Sequence, residues 1–310
     1  MALNIDEIQL NFSDGSLLFM NICLGFIMFG VSLDIKWSHF KELSRNPKPT
    51  LVGILSQFLL LPILTLLLVY IIRPHNTIAL GMFLLAAVPG GNISNFMTNM
   101  ARGNTALSVS LTAFSSLFSI VLTPLNFGLW ASFYPPTRVL LREISLDPTE
   151  VFKVILLLLI IPLIAGIAFA KQFPQLTDRI KRPIKLLSIV IFLGFVAVAF
   201  SNNYDNFLLV IKIVVFYVMI MHSAGLAGGY LLGKAFKLDR RNCRTVAIET
   251  SIQNSGLGLI LIFNFFDGLG GMAVMAAWWS IWHILVGLAI STYWSKYPKN
   301  WNYEGQVSGQ

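Results

Sequence analysis

The chain has 310 residues, of which 56% are hydrophobic and only 12% are charged, with a mean hydropathy of +0.74. These values exclude a soluble globular domain, and continuous apolar runs of about 20 residues indicate membrane-spanning helices rather than barrel strands. The basic residues behind the formal net charge of +8 lie mainly in the loops between those runs, so no nucleic-acid partner is predicted. The sequence therefore predicts an all-α polytopic membrane protein whose outer surface contacts membrane lipid.

Nine apolar runs are predicted to be transmembrane helices. In chain order they cover about residues 17–34, 50–72, 77–100, 105–133, 151–170, 186–201, 207–232, 245–265 and 272–293. Most of the 22 lysine and arginine residues lie in the loops after the first, third, fifth and seventh spans and in the C-terminal tail. By the positive-inside rule, these loops and the C-terminus are cytoplasmic and the N-terminus is outside. We expect a multi-pass location in the plasma membrane, which is the inner membrane of the cell.

The third and eighth spans are interrupted by polar residues and glycines. The first interruption is Val88-Pro89-Gly90-Gly91-Asn92, and the second is Gln253-Asn254-Ser255-Gly256. One more span follows each interrupted span, so spans one to four and six to nine form an inverted repeat around the fifth. Paired interruptions at corresponding positions of two halves indicate a transporter binding site. The alternative is that the glycines and the proline only kink two ordinary helices.

Glu249 is the acidic residue placed well inside a predicted span. An ionisable side chain at membrane depth costs about 3 kcal/mol on insertion scales, so it normally faces the protein interior or a water-filled cavity. The alternative is that Glu249, five positions after Arg244, extends to the membrane interface and forms an ion pair there.

Polar side chains from four spans lie at a similar depth. Counting 1.5 Å per residue from the predicted cytoplasmic ends places them roughly 6 to 13 Å into the membrane. They are Gln57, Ser94, Asn95, Ser108, Thr112, Glu249 and Gln253. A single carboxylate among neutral oxygens favours a sodium ion over calcium. Two alternatives stay open: Glu249 carries a proton instead, or the hydroxyl groups bond only to backbone or to a neighbouring helix.

The helix breaks also predict an anion site. Each break leaves the N-terminus of a half-helix inside the protein, where its positive dipole end attracts a carboxylate or a sulfonate. Asn92 and Asn254 are best placed to assist, unless they serve as helix caps. His283 is a candidate for lining the same cavity, and the alternative is a hydrogen-bonded packing residue. An intramembrane protease is disfavoured because it needs paired aspartates or a serine with a general base.

Three motifs resemble those of the bile acid:sodium symporter family, especially its bacterial members. They are Pro89-Gly90-Gly91-Asn92-Ile93-Ser94-Asn95, Ala101-Arg102-Gly103-Asn104-Thr105-Ala106-Leu107-Ser108, and Glu249 with Gln253-Asn254-Ser255-Gly256-Leu257. The resemblance covers nearly the whole chain. It implies a panel domain, a core domain with two crossing discontinuous helices, and cotransport of two sodium ions with an organic anion by alternating access.

The resemblance also implies a division of the chain, in the nine-span arrangement of the animal members. Residues 1–16 are an extracellular N-terminus, and residues 17–72 hold part of the panel domain and the first core helix. Residues 77–133 form the first half of the core, and residues 151–232 hold panel helices and the start of the second core half. Residues 245–293 complete the core, and residues 294–310 are a cytoplasmic tail.

Site residues follow from the same resemblance. The first sodium site is implied to use Ser94, Asn95, Ser108, Thr112 and Glu249. The second uses Gln57, Glu249 and Gln253 with the backbone carbonyls of Thr250 and Ile252. The substrate is implied to contact Asn92, Ile93, Asn254, His283 and Ile284.

The expected substrate is a bile-acid-like anion or a smaller carboxylate, such as pantoate or a 2-oxo acid. Some bile-acid-transporting relatives have an asparagine at the position of Ile284. The isoleucine in this chain therefore favours the smaller anions over a bile acid. We expect a monomeric transporter and no enzyme activity. The alternatives are a sodium/proton antiporter that uses Glu249, and a sodium-linked ligand sensor without flux.

Overall fold

The computed structural model describes residues 14–143, 156–201 and 204–296, and every regular element in these ranges is helical. We number the helices in chain order: α1 (Asp14–Ser32), α2 (Trp37–Arg45), α3 (Pro47–Ile72), α4 (Asn76–Ala87), α5 (Ile93–Met100), α6 (Thr105–Phe133), α7 (Pro135–Glu143), α8 (Leu156–Gln172), α9 (Pro174–Ser201), α10 (Tyr204–Ala235), α11 (Arg240–Ser251), α12 (Ser255–Phe265) and α13 (Gly270–Lys296). Most of the predicted extracellular N-terminus (1–16) and cytoplasmic tail (294–310), and the start of the fifth span, lie outside the described residues.

The helices confirm the all-α polytopic class. Each predicted span overlaps one helix, except that the third and the eighth each consist of two. Among the described residues, four helices are long and apolar enough to cross a membrane, namely Pro47–Ile72, Thr105–Phe133, Val210–Ala235 and Gly270–Lys296. The number of nine crossings therefore stays a prediction.

Several helix boundaries differ from the prediction. The helices α2 and α7 lie in segments predicted as loops, and α9 begins at Pro174 rather than near residue 186. Similarly, α11 begins at Arg240 rather than at Thr245, because the side chain of Asp239 accepts a hydrogen bond from the Asn242 N–H at 2.8 Å and caps the helix. Hydropathy locates the apolar part of a helix, whereas these starts lie in polar segments.

Two of the helices contain a turn of π-helix ahead of a proline. The turns are Ser56–Leu60 in α3 and Leu156–Ile160 in α8, followed by Pro62 and Pro162. A proline has no N–H and its ring crowds the carbonyl four residues earlier, so a wider turn relieves the clash. Gln57, one of the predicted site residues, therefore projects from a π turn, a feature often found at functional sites.

The helices pack around one buried apolar cluster, to which α1, α4, α10, α12 and α13 all contribute. Helix α1 packs against α8 and α9, while α10 packs against α11 and α13, and α4 packs against α6 and α13. Helix α4 is buried along its whole apolar length, and Gly81 allows it to approach α13, since an added Cβ would lie 3.0 Å from the Cα of Met272. The division into panel and core domains is compatible with this packing and stays a prediction.

Candidate functional site

The two interrupted helices cross at their breaks and share backbone hydrogen bonds there. The Gly91 N–H donates to the Ile252 carbonyl at 2.9 Å, and the Asn254 N–H donates to the Pro89 carbonyl at 2.8 Å. Backbone groups that leave a helix inside a membrane protein need such partners. Gly91 allows the close approach, because a Cβ there would lie 3.1 Å from the Gln253 carbonyl oxygen. The breaks are therefore true discontinuities and not kinks.

Glu249 lies in the last turn of α11, immediately before the crossing, and is 1% exposed. Its carboxylate accepts hydrogen bonds from three hydroxyl groups on two other helices. Ser94 of α5 donates to Oε1 at 2.5 Å, Ser108 of α6 donates to the same oxygen, and Thr112 of α6 donates to Oε2 at 3.0 Å. Glu249 therefore faces the protein interior and does not extend to the interface near Arg244.

Asn95 completes this cluster. Its Oδ1 lies 2.8 Å from the hydroxyl oxygen of Ser108 and 3.2 Å from that of Thr112, so it shares the single proton of each hydroxyl with the Glu249 carboxylate. The hydroxyl oxygens of Ser94 and Thr112 are 3.4 Å apart. The structure thus brings together the five residues predicted for the first sodium site. Glu249 is the charged member, and the other four supply neutral oxygens. This donor set suits a hard cation.

The residues predicted for a second site lie at the crossing beside Glu249. Gln57 and Gln253 are 2% and 0% exposed, and the Nε2 of Gln57 and the Oε1 of Gln253 have no hydrogen-bond partner. The Gln253 Nε2 donates to the Thr250 carbonyl at 2.8 Å. A buried amide atom without a partner costs about 1 to 3 kcal/mol, so these two atoms mark an incomplete polar site.

Gly90 separates Gln57 from Glu249. A Cβ at residue 90 would lie 3.1 Å from the Glu249 Oε2, 3.3 Å from the Gln57 Nε2 and 3.8 Å from the Ile252 carbonyl oxygen. These three groups therefore surround one small space next to a glycine. The Ile252 carbonyl already accepts the Gly91 N–H, but a carbonyl oxygen has a second lone pair.

Ser56 is a polar contact at this site that the sequence analysis missed. It is fully buried, and its hydroxyl lies 2.6 Å from the hydroxyl of Thr250, so it ties the π turn of α3 to α11. The sequence feature that could have identified Ser56 is its position next to Gln57 in an otherwise apolar span.

Asn92 and Asn254, two of the residues predicted to contact the substrate, lie at the same crossing. Asn254 caps α12, because its side chain accepts the Leu257 N–H at 3.1 Å, whereas the side chain of Asn92 makes no capping bond to α5. His283 is 5% exposed and its Nδ1 has no hydrogen-bond partner. The capping alternative therefore holds for Asn254 and not for Asn92.

Ile93 and Ile284 pack against one buried apolar cluster, which consists of Met97, Ala101, Ile248 and Ile252. The two isoleucines lie on α5 and α13, and both are half-buried.

A helical membrane protein with two broken helices that cross at a buried carboxylate has the architecture of a secondary transporter. Comparison with known proteins agrees. The model of the Sodium Bile acid symporter family matches residues 21–232, and the chain belongs to this family. It is a membrane transporter and not an enzyme.

Three relatives show how far the similarity extends. The chain is 36% identical to an uncharacterized sodium-dependent transporter, YocS, of Bacillus subtilis (strain 168), over 91% of this chain and 84% of the relative. It is 30% identical to the probable chloroplastic sodium/metabolite cotransporter BASS2 of Oryza sativa subsp. japonica, over 87% of this chain and 62% of the relative. It is 28% identical to the probable chloroplastic sodium/metabolite cotransporter BASS1 of Arabidopsis thaliana, over 87% of this chain and 65% of that protein. The chain thus spans less than two thirds of the length of these two plant relatives.

Proposed function

We propose that this protein is a sodium-coupled symporter that carries a small organic anion into the cell with two sodium ions by alternating access. The observation that carries the proposal is the buried Glu249 carboxylate, surrounded by hydroxyl groups where two broken helices cross. The matched family and the names of the relatives support sodium coupling.

The cluster around Glu249 fits the first sodium ion. Hydroxyl groups both donate and accept, so Ser94, Ser108 and Thr112 can turn lone pairs toward a cation. Asn95 adds an amide oxygen. One carboxylate balances one monovalent charge, whereas a calcium site usually gathers several carboxylates.

The space beside Gly90 fits the second ion. Rotation of the Gln57 amide by 180° exchanges its nitrogen for its oxygen, so an oxygen can face this space. Gln253 adds a side-chain oxygen without a partner, and Thr250 and Ile252 add backbone carbonyls. In this proposal Glu249 contacts both ions.

The anion is proposed to bind where α5 and α12 begin. The positive dipole ends of both half-helices meet at the crossing, beside Asn92 and Asn254. His283 and the half-buried Ile93 and Ile284 supply the remaining contacts. This combination fits one carboxylate with a short or apolar body, such as pantoate, a 2-oxo acid or a bile-acid-like anion.

The proposed topology places the N-termini of α6 and α11 at the cytoplasmic face of the plasma membrane, with the chain N-terminus outside. Two sodium ions with one monovalent anion move one net charge inward, which contributes about 2.3 kcal/mol per 100 mV of membrane potential. We propose that a single copy of the chain is sufficient, with the panel and core domains moving relative to each other.

The test is thermal unfolding of the purified protein with a panel of organic anions, each in sodium and in potassium. A ligand at 100 times its Kd stabilises the folded state by about 2.7 kcal/mol. We expect at least one anion to raise the Tm in sodium and not in potassium. Equal stabilisation in both salts would contradict sodium coupling.

Uptake into proteoliposomes separates the remaining candidates. A symporter accumulates the anion that raises the Tm in sodium when an inward sodium gradient is applied. Binding without uptake would indicate the ligand sensor. Stabilisation by sodium alone, together with sodium-driven proton movement, would indicate the sodium/proton antiporter.

A further inference from the structure

A second layer of polar residues lies one helical turn from the Glu249 cluster. Thr98 follows Ser94 by four residues on α5. Asn104, the N-cap of α6, precedes Ser108 by four residues. Thr245 precedes Glu249 by four residues on α11. Residues four apart lie on one face of a helix. Since α5 ends where α6 and α11 begin, all three residues are displaced toward the same end of the protein, the proposed cytoplasmic side.

These residues form a closed contact, which we call the rung and define as Thr98, Gly103, Asn104 and Thr245. The Asn104 N–H donates to the Thr245 hydroxyl at 2.8 Å, and that oxygen also lies 3.3 Å from the Asn104 carbonyl. A Cβ at Gly103 would lie 2.8 Å from the Thr98 methyl and 2.9 Å from the Thr245 hydroxyl oxygen. Thr98 and Thr245 are fully buried, and the rung leaves no room for an added methyl group.

The rung is rich in oxygen atoms. The hydroxyl of Thr98 has no hydrogen-bond partner, and the Thr98 carbonyl accepts the Gly103 N–H at 2.8 Å. Arg241, which is exposed, lies next to the rung, and its Nη2 donates a hydrogen bond to the Gly103 carbonyl oxygen at 3.4 Å. This positive charge disfavours a cation resident at the rung.

An apolar strip of α11 lies beside this polar strip and also packs on α5. There Ile248 and Ile252 pack against Met97 and Ala101, with Trp294 alongside. A sodium ion that has lost its water needs oxygen ligands at each step. An ion leaving Glu249 toward the cytoplasm therefore meets oxygens at the rung, and apolar side chains along this neighbouring strip.

We infer that sodium leaves the Glu249 site for the cytoplasm between α5, α6 and α11, and that the rung is the barrier that closes this route. The inference rests on the proposed sodium coupling. A sodium ion that bridges Ser108 and Glu249 also ties together the two helices that have to part at the rung. Bound sodium therefore lowers the population in which the rung is open.

The experiment measures how fast a water-soluble, positively charged methanethiosulfonate modifies a single cysteine. The parent carries Cys23→Ala and Cys243→Ala, because these are the native cysteines. In this cysteine-free parent, Thr245→Cys is expected to react with the methanethiosulfonate in potassium. The reaction is expected to be about tenfold slower in saturating sodium. Ala106→Cys, exposed on the first turn of α6, is expected to react at the same rate in both salts.

Two further variants make the result decisive. Adding Glu249→Gln to Thr245→Cys is expected to abolish the effect of sodium on the labelling rate. Thr98→Cys places the thiol on the other side of the rung, in case Thr245→Cys does not fold. If both thiols stay unreactive, or react at a rate that sodium does not change, the route is wrong.

Flux provides the second readout. Modification of Thr245→Cys in proteoliposomes is expected to stop ²²Na⁺ uptake measured with the mixed anions of the panel, whereas modification of Ala106→Cys leaves it unchanged. Continued uptake through fully modified Thr245→Cys would overturn the inference. Failure of the proposed function is distinguishable, since the unmodified parent would then show neither stabilisation by sodium nor uptake.

Discussion

Gly90 lies between Glu249 and Gln57, so adding one methyl group there tests the ion site without altering a proposed ligand. The added Cβ would stand 3.1 Å from the Glu249 Oε2, whereas ordinary contacts begin at 3.4 Å, so the carboxylate oxygen has to retreat by 0.3 Å. Side-chain ends can make this shift, and the fold is expected to persist. The added methyl group, however, would stand in the space among Glu249, Gln57 and the Ile252 carbonyl that is proposed for the second ion. Losing most of one charge-assisted contact, about 1.5 kcal/mol, lowers sodium affinity about tenfold in Gly90→Ala.

The assay is the sodium concentration that gives half-maximal thermal stabilisation. Gly258→Ala is the matched control, since its Cβ would make an ordinary 3.4 Å contact with Leu85. Gly91→Ala is the contrast, because its Cβ would press on the Gln253 backbone, and it is expected to lower the Tm itself. A half-saturating sodium concentration for Gly90→Ala within twofold of that for the unaltered protein would show that the space beside Gly90 holds no sodium ion.

Two further predictions concern the cation cluster and the proposed anion site. Ser108→Ala removes a hydroxyl within hydrogen-bond distance of both Glu249 and Asn95, so sodium affinity is expected to fall about tenfold. Ser110→Ala, at a buried hydroxyl without a partner, is expected to leave the affinity within about twofold, and equal effects of the two would contradict the site. Asn254→Asp keeps an oxygen to cap α12, so its Tm without ligand is expected to hold, while repulsion weakens anion binding about tenfold. Asn254→Ala is expected to lose about 1 kcal/mol of stability, and unchanged anion affinity in Asn254→Asp would exclude this position from the anion site.

Much of the fold follows from the sequence because lipid offers the backbone no hydrogen bonds. A membrane helix has to satisfy its own backbone, so long apolar runs indicate where helices lie. The breaks were predictable because glycine, proline and asparagine interrupt apolar spans at two places. The convergence on Glu249 was also predictable in part, since Ser108 and Thr112 lie four residues apart on one helix face.

The contacts that join different helices could not be predicted in the same way. Hydropathy carries no information on a helix start in a polar segment, so the cap at Asp239 and the beginning of α11 at Arg240 were missed. The π turn that carries Gln57 depends on how α3 accommodates Pro62. The rung contact between Asn104 and Thr245 joins residues 141 positions apart, and each of them alone looks like an ordinary polar residue near a loop.

The proposed function requires that the carboxylate of Glu249 holds the coupling sodium. The most direct test compares sodium-dependent thermal stabilisation of the unaltered protein with that of Glu249→Gln, which keeps the shape of the side chain and removes its charge. We predict saturable stabilisation by sodium but not by potassium in the unaltered protein, and none in the variant at about 100 times the half-saturating concentration. Sodium-specific stabilisation that persists in a folded Glu249→Gln variant would contradict the account.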